Sequence, residues 1–177
     1  MHSAYNDDLP RKAANYQPLT PLTFLQRAAE VMPDYPAIIH GSQRVSYRDF
    51  YRRACQLASA LTMARMGRGD TVSVLLPNVP PMLEAHHGVP MCQAVLHAIN
   101  TRLDAHTIAF QLDHAASQIL IVDQALLPLA EAALAQSQVT PALIVYDDPQ
   151  CPIESTHTPA LEWMDYAAFL ADGDASF

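Results

Sequence analysis

The chain has 177 residues, of which 50% are hydrophobic and 16% charged, with a formal net charge of −8. This length suits one domain with a substantial core, and the composition is that of a globular protein. The acidic balance argues against nucleic acids or anionic membranes as partners, because both require clustered basic side chains. No run of about 18 apolar residues is present, so no transmembrane segment is predicted.

Basic side chains gather in and just after one predicted helix. They are Arg48, Arg52, Arg53, Arg65 and Arg68. Because they alternate with apolar residues at helical spacing, we interpret them as the solvated face of that helix rather than as an anion site.

Three cysteines, Cys55, Cys92 and Cys151, lie far apart and form no CxxC pair. Unpaired thiols at such spacing are typical of a reducing compartment. Residues 1–18 are polar and contain no apolar segment of the kind found in signal peptides, and we predict that they form a flexible N-terminal arm. These features together predict a cytoplasmic protein.

The first elements predicted after the arm are a helix, a hairpin and a second helix. PLTFLQRAAEVM begins with proline and places its leucines and alanines on one face. Two β-type runs flank Gly41-Ser42, and glycine at the first position of a two-residue turn predicts a type II′ hairpin. Ser46 and Asp49 form a variant of the capping box at the start of the second helix. Gly67 is predicted to end that helix in the left-handed conformation.

Apolar strands alternate with helices in the rest of the chain. The predicted strands are TVSVLL, residues 94–99, SQILIVD and ALIVY. Helices are predicted after Asn78, after Asp104, over QALLPLAEAALAQSQ and over EWMDYAAFL. This alternation is typical of βαβ units. We therefore predict an α/β fold, a mostly parallel sheet with flanking helices and an N-terminal β-hairpin.

Several side chains that could carry chemistry lie in the segment HHGVPMCQAVLHAINTRL, residues 86–103. The adjacent His86 and His87 diverge by about 100° on a helix and cannot share a metal ion. His97 lies too far along the chain to complete a zinc-ligand spacing with them. Cys92 has neither the helix N-terminus nor the neighbouring cation that activates a thiol, and we interpret it as a small apolar core residue.

Sequence motifs for phosphate binding are absent. The glycines of Gly67-Arg68-Gly69 precede a strand, whereas a dinucleotide loop needs the strand first. With five glycines in the whole chain, no stretch can line a phosphate with consecutive backbone N–H groups. Aspartates 123, 147 and 148 end predicted strands, where parallel sheets place ligand-binding residues, but capping or turn formation is the alternative.

In their order, these segments resemble the beginning of the AMP-forming acyl-CoA synthetases, part of the adenylate-forming superfamily. The matching segments are TFLQRAAEVMPDYPAIIHGSQRVSYRDF, GRGDTVSVLLPNVPPMLEAHHGVPM and AVLHAINTRLDAHTIAFQLDHAASQILIVD, with Asn100-x-Arg102-Leu103 particularly telling. The residues of these segments most resemble those of the bacterial and plant branch that acts on medium- to long-chain fatty acids and related small carboxylic acids. Gln93 departs from that branch, which usually carries a small residue, often glycine, at this position.

This resemblance implies a fatty-acid (carboxylic acid)–CoA ligase of lipid metabolism, which uses ATP, Mg²⁺ and coenzyme A to form an acyl-adenylate and then a thioester. In the family, the phosphate loop, the nucleotide-binding segments and a late lysine lie downstream of the matching region. We therefore expect residues 19–177 to be a partial N-terminal domain, truncated before the phosphate loop and inactive alone. No catalytic, cofactor-binding or metal-binding residue is assigned, and no cofactor is expected for this chain.

Two further expectations concern partners. The alternative to an inactive portion of a ligase is a non-catalytic interaction module that pairs with a separate subunit. We also expect self-association, because a partial domain of this family would expose apolar surface and a free strand edge.

Overall fold

The computed structural model describes residue 12, residues 20–152 and residues 161–177. The predicted arm over residues 1–18 lies outside the described residues, apart from Lys12. The elements in chain order are α1 (Pro21–Val31), β1 (Pro36–His40), β2 (Gln43–Ser46), α2 (Tyr47–Met63), β3 (Thr71–Leu75), α3 (Pro80–Met91), β4 (Val95–Ala98), α4 (Ala105–His114), β5 (Ser117–Asp123), α5 (Leu127–Leu134), β6 (Ala142–Tyr146), β7 (Trp163–Asp165) and α6 (Tyr166–Ala171). None of the helices in the described ranges is long and apolar enough to cross a membrane.

The first helix, the hairpin and the start of α2 form one packing unit. Gly41 has a φ of +55° at the first position of the two-residue turn, as the predicted type II′ hairpin requires. Ser46 caps α2, because its hydroxyl accepts the Asp49 N–H at 3.1 Å and donates to the Asp49 carboxylate at 2.7 Å. The apolar residues that join the unit are Leu25, Ile38, Val45, Phe50 and Ala54.

Five parallel strands form the main sheet, in the order β4-β3-β5-β6-β7. The predicted α/β fold, with its mostly parallel sheet and N-terminal hairpin, is therefore confirmed. Helices cover both faces of the central strands, and every residue of β3 is buried. On one face α2, α3 and α6 pack through residues such as Leu57 and Phe169. On the other face α4 and α5 pack through residues such as Ile108 and Leu127.

Three helices are followed by a residue in the left-handed conformation, and none of these residues is glycine. They are Arg65, Gln93 and Ala116, with φ values of 66°, 66° and 48°. The predicted left-handed cap at Gly67 is wrong, because α2 ends earlier, at Met63, and Arg65 takes that conformation instead.

The last predicted helix begins later than its sequence pattern indicates. Trp163–Asp165 form the short strand β7, which pairs in parallel with β6. The helix starts at Tyr166, and the Asp165 carboxylate caps it by accepting the Ala168 N–H at 2.8 Å. Pairing with a neighbouring strand outweighs the local helical pattern over these three residues.

Candidate functional site at the carboxyl edge of the sheet

An open groove of about 420 Å³ lies at the carboxyl ends of β3 and β4. From β3 the chain crosses to β4 on one side and then to β5 on the other, so the direction of winding reverses at β3. Open α/β sheets bind ligands outside the carboxyl ends of their strands, near such a reversal. The lining residues include Leu76, Asn78, Met82, Ile99, Asn100 and Thr101.

The Asn100-x-Arg102-Leu103 sequence forms the turn that leads from β4 to α4 along one wall of the groove. The Asn100 side-chain oxygen accepts the Arg102 N–H at 3.0 Å, and the Leu103 N–H donates to the Asn100 carbonyl at 3.2 Å. Leu103 packs against the apolar cluster beneath α4 and α5. The motif therefore shapes the groove by fixing a side-chain-stabilised turn.

The groove itself is uncharged. Its side chains are aliphatic, thioether, amide and hydroxyl groups, with no carboxylate, imidazole, amine or guanidinium among them. Such a surface can position a neutral or apolar part of a ligand, but none of its side chains can act as a general acid or base near neutral pH.

A network of buried polar interactions lies where α2, α3 and α6 meet. Glu84 is fully buried, and its carboxylate accepts hydrogen bonds from Arg53 Nε and, at 3.2 Å, from Arg53 Nη2. The buried Tyr166 hydroxyl donates to the same carboxylate at 2.7 Å. We call these three residues the Glu84 network. Arg53 therefore departs from the predicted solvated helix face by pairing with a buried carboxylate, although its side chain is 38% exposed, whereas Arg48 is exposed as predicted.

The surroundings of Tyr166 and Arg53 keep the phenol neutral and the guanidinium charged. Burial raises the pKa of Tyr166 well above its ordinary value, and the Glu84 charge raises it further. Burial alone would lower the pKa of Arg53, but the hydrogen bond and charge of Glu84 raise it overall. Perturbed groups often mark active sites. In the Glu84 network both perturbed side chains hydrogen-bond the Glu84 carboxylate. The network therefore connects three helices and presents no free reactive group.

A second polar cluster ties the hairpin to the loop that follows β6. The His40 Nε2 lies 2.8 Å from an oxygen of the buried Asp148 carboxylate. The Gln150 side-chain oxygen accepts both the N–H and the hydroxyl of Ser42 at 2.8 Å. These bonds hold the hairpin turn against the carboxyl edge of the sheet.

Two of the three strand-end aspartates have capping or turn roles. Asp123 accepts the Ala125 N–H at 2.8 Å, and Asp148 accepts the Gln150 N–H at 3.0 Å. Burial raises the pKa of Asp123, and the charges of Asp148 and Asp147 add to this effect. Across residues 20–152 and 161–177 no three His, Cys, Asp or Glu side chains converge into a possible metal site.

The histidines and cysteine of residues 86–103 form ordinary hydrogen bonds. His86 and His87 each place ring Nδ1 near the backbone carbonyl four residues earlier, at 2.7 and 3.1 Å. His97 Nδ1 lies 2.8 Å from the hydroxyl of Ser73 on β3. The Cys92 thiol is buried, which raises its pKa, as suits a small apolar core residue.

Comparison with known proteins relates the chain to the family that its sequence resembles. Residues 25–168 match the family described as AMP-binding enzyme. The chain is 45% identical to the peroxisomal acetate/butyrate–CoA ligase of Arabidopsis thaliana, over 97% of this chain and 32% of that protein. It is 44% identical to the acetate–CoA ligase of Humulus lupulus over the same shares. It is 47% identical to the peroxisomal trans-cinnamate:CoA ligase of Petunia hybrida, over 72% of this chain and 22% of that one.

Solved structures share the fold. An anthranilate CoA ligase in complex with anthranoyl-AMP matches with a TM-score of 0.79 at 18% identity, over 94% of this chain and 31% of that one. A benzoate CoA ligase from Burkholderia xenovorans matches with a TM-score of 0.71 at 20% identity, over 86% of this chain and 28% of that one. The chain spans about a third of the length of the first two curated relatives. The family match over most of the chain and the identity to plant CoA ligases confirm the resemblance, and the chain belongs to the AMP-binding enzyme family.

Proposed function

We propose that this chain contributes the first part of the N-terminal domain of a carboxylic acid–CoA ligase. In the proposed reaction a carboxylate oxygen attacks the α-phosphorus of ATP and pyrophosphate leaves. The coenzyme A thiol then attacks the acyl carbonyl carbon and AMP leaves, which gives the thioester. The observation that carries the proposal is the 45% identity to a CoA ligase over 97% of the chain.

We further propose that the acid is a small carboxylic acid. The relatives reported above are named for acetate, butyrate and trans-cinnamate, and the related structures for benzoate and anthranilate. The resemblance implies both medium- to long-chain fatty acids and related small carboxylic acids, and these names favour the small acids, short-chain or aromatic.

The role proposed for the 177-residue chain alone is that of a scaffold without adenylation activity. The groove offers no ionisable side chain that could act as a general acid or base. Pyrophosphate exchange into ATP should therefore stay at background with acetate, butyrate, benzoate or octanoate as the acid. Acid-dependent exchange by the purified chain would overturn this role, and the acid supporting the fastest exchange would identify the substrate class.

The second candidate function is a non-catalytic module that associates with itself or with another subunit. Both outer strands of the sheet carry exposed apolar side chains, namely Val95 on β4 and Trp163 and Met164 on β7. Edge strands of this kind favour pairing with another chain. Size-exclusion chromatography with light scattering should show concentration-dependent association. A monodisperse monomer with a cooperative thermal transition would contradict it.

A cytoplasmic location stays part of the proposal. The relatives named as peroxisomal provide the competing possibility. Fluorescence microscopy of the protein tagged at its N-terminus would separate the two, since a punctate signal that coincides with a peroxisomal marker would contradict a cytoplasmic location.

A further inference from the structure

Three polar side chains form a line across three neighbouring strands. The Ser117 hydroxyl on β5 lies 2.5 Å from the Ser73 hydroxyl on β3, which lies 2.8 Å from Nδ1 of His97 on β4. Ser73 is fully buried and Ser117 almost so. The Gln111 side chain of α4 also interacts with the His97 ring and raises its pKa.

The hydrogen bonds between Ser117, Ser73 and His97 can all form when the His97 ring is neutral and Nδ1 carries no proton. Ser73 donates to Nδ1 and at the same time accepts from Ser117, so both hydroxyl hydrogens have an acceptor. The other neutral tautomer, with its proton on Nδ1, would leave one hydroxyl hydrogen without an acceptor. The buried contacts therefore favour the ring with an unprotonated Nδ1.

When His97 is protonated, three hydrogens compete for two contacts: the Nδ1 hydrogen and the hydroxyl hydrogens of Ser73 and Ser117 must share the His97–Ser73 and Ser73–Ser117 contacts. Nδ1 must then donate to Ser73, and the hydroxyl hydrogen of either Ser73 or Ser117 loses its acceptor. In the described part of the chain the two hydroxyls make no other hydrogen bonds. A buried donor without an acceptor destabilises the state that contains it.

Among the residues that the structure describes, no charged side chain near His97 offsets this effect. Burial is the largest influence on the pKa of His97 and lowers it, and the interaction with Gln111 opposes burial only in part. The groups that face the ring from β3 and α4, the Ser73 hydroxyl and the Gln111 amide, are both uncharged.

The position of His97 connects its protonation to the groove. Within the described part of the chain, β4 is an outer strand that pairs with β3 alone. The Val95 N–H donates to the Asp70 carbonyl at 2.8 Å, and the Ile99 N–H donates to the Val74 carbonyl at 2.9 Å. Ile99, two residues after His97, lines the groove.

We propose that His97 is a proton-operated latch that holds β4 and its wall of the groove against β3 when neutral and loosens both when protonated. This regulation goes beyond the proposed ligase function and depends only on the described residues.

The direction of the pH effect follows from proton binding. In the unfolded chain His97 titrates near its ordinary pKa of about 6.5, whereas in the folded chain burial lowers that pKa. The unfolded state therefore binds more protons than the folded state as the pH falls below this value. The stabilisation by neutral His97 is complete at higher pH and is lost in acid. During this loss the unfolding equilibrium constant rises by at most about tenfold per pH unit.

Urea unfolding between about pH 5 and pH 8 tests the latch, because this range spans histidine titration. His97→Asn keeps a side-chain oxygen that can accept from Ser73 but cannot be protonated. As the pH falls, the unfolding equilibrium constant of His97→Asn should rise less steeply than that of the wild type. The difference between the two slopes should be at most about tenfold per pH unit. His106→Asn is the matched control on exposed α4 surface and should keep the wild-type slope. Equal slopes for His97→Asn and the wild type would overturn the proposal.

Two measurements on the wild-type chain keep the proposal testable if His97→Asn does not fold. NMR titration should show the His97 ring taking up its proton below the ordinary value of about 6.5. Hydrogen-exchange protection of the Val95 and Ile99 amides should fall in acid faster than that of the β5 amides. A His97 ring that titrates at or above the ordinary value, or β4 protection that does not change with pH, would overturn the proposal.

Discussion

Replacing Glu84 with alanine tests whether the Glu84 network holds α2, α3 and α6 together. The substitution removes the acceptor of the buried Tyr166 hydroxyl and the partner of the Arg53 guanidinium. Removing one member of a buried ion pair costs about 3–5 kcal/mol. Because the Arg53 side chain is 38% exposed and its released charge can reach water, we expect the lower end, about 3 kcal/mol.

The assay is urea unfolding followed by circular dichroism, with two comparison variants. Tyr166→Phe removes one hydrogen bond and leaves the ion pair, so we expect it to cost about 1 kcal/mol. Arg53→Met leaves the Glu84 carboxylate, whose side chain is 1% exposed, without its cation. It should therefore cost more than Glu84→Ala. A loss below about 1 kcal/mol for Glu84→Ala would refute the reasoning, since that is the value of a single ordinary hydrogen bond.

Three further predictions concern backbone conformation, close packing and ionisation. Gln93→Gly should stabilise the chain by about 1 kcal/mol in urea unfolding, because glycine adopts a φ of 66° without strain; no gain would contradict this. Gly88→Ala should cost about 1–3 kcal/mol, because its Cβ would lie 2.9 Å from the Ala54 carbonyl oxygen. Gly67→Ala, whose Cβ meets nothing within 4 Å, is the control, and an equal loss there would refute the packing argument. Asp123→Asn should stabilise the chain at neutral pH, because the raised pKa of Asp123 makes its charged form unfavourable; thermal unfolding should show the gain shrinking as the pH falls.

Elements specified by local patterns could be predicted from the sequence. The hairpin turn at Gly41 and the caps at Ser46 and Asp104 depend on residues within three positions of one another. The apolar runs of β3 and β5 indicate burial on both faces, as in a parallel sheet. The family resemblance added the order of the segments, and the fold agrees with it.

Features that depend on distant contacts could not be predicted in this way. Arg53 and Glu84 are 31 residues apart, and Glu84 and Tyr166 are 82 apart. On its own helix Arg53 has the same spacing pattern as an arginine on a solvated face, so the pattern cannot reveal its buried partner. The candidate groove was missed for a related reason: its neutral side chains carry no chemical motif, and only the strand order places the ends of β3 and β4 together.

The helix α3 connects these features physically. Glu84 and Gly88 lie one turn apart on it, and both meet α2, through Arg53 and through the backbone oxygen of Ala54. Pushing α3 away from α2 at Gly88 would also lengthen the bonds to Glu84. The costs of Glu84→Ala and Gly88→Ala should therefore fall short of additivity by about 0.5 kcal/mol or more, as is usual for residues that share partners. Gln93→Gly, which acts on the exposed end of the same helix, should add independently to either. Strict additivity of the first pair would mean that the two contacts do not act through one helix interface.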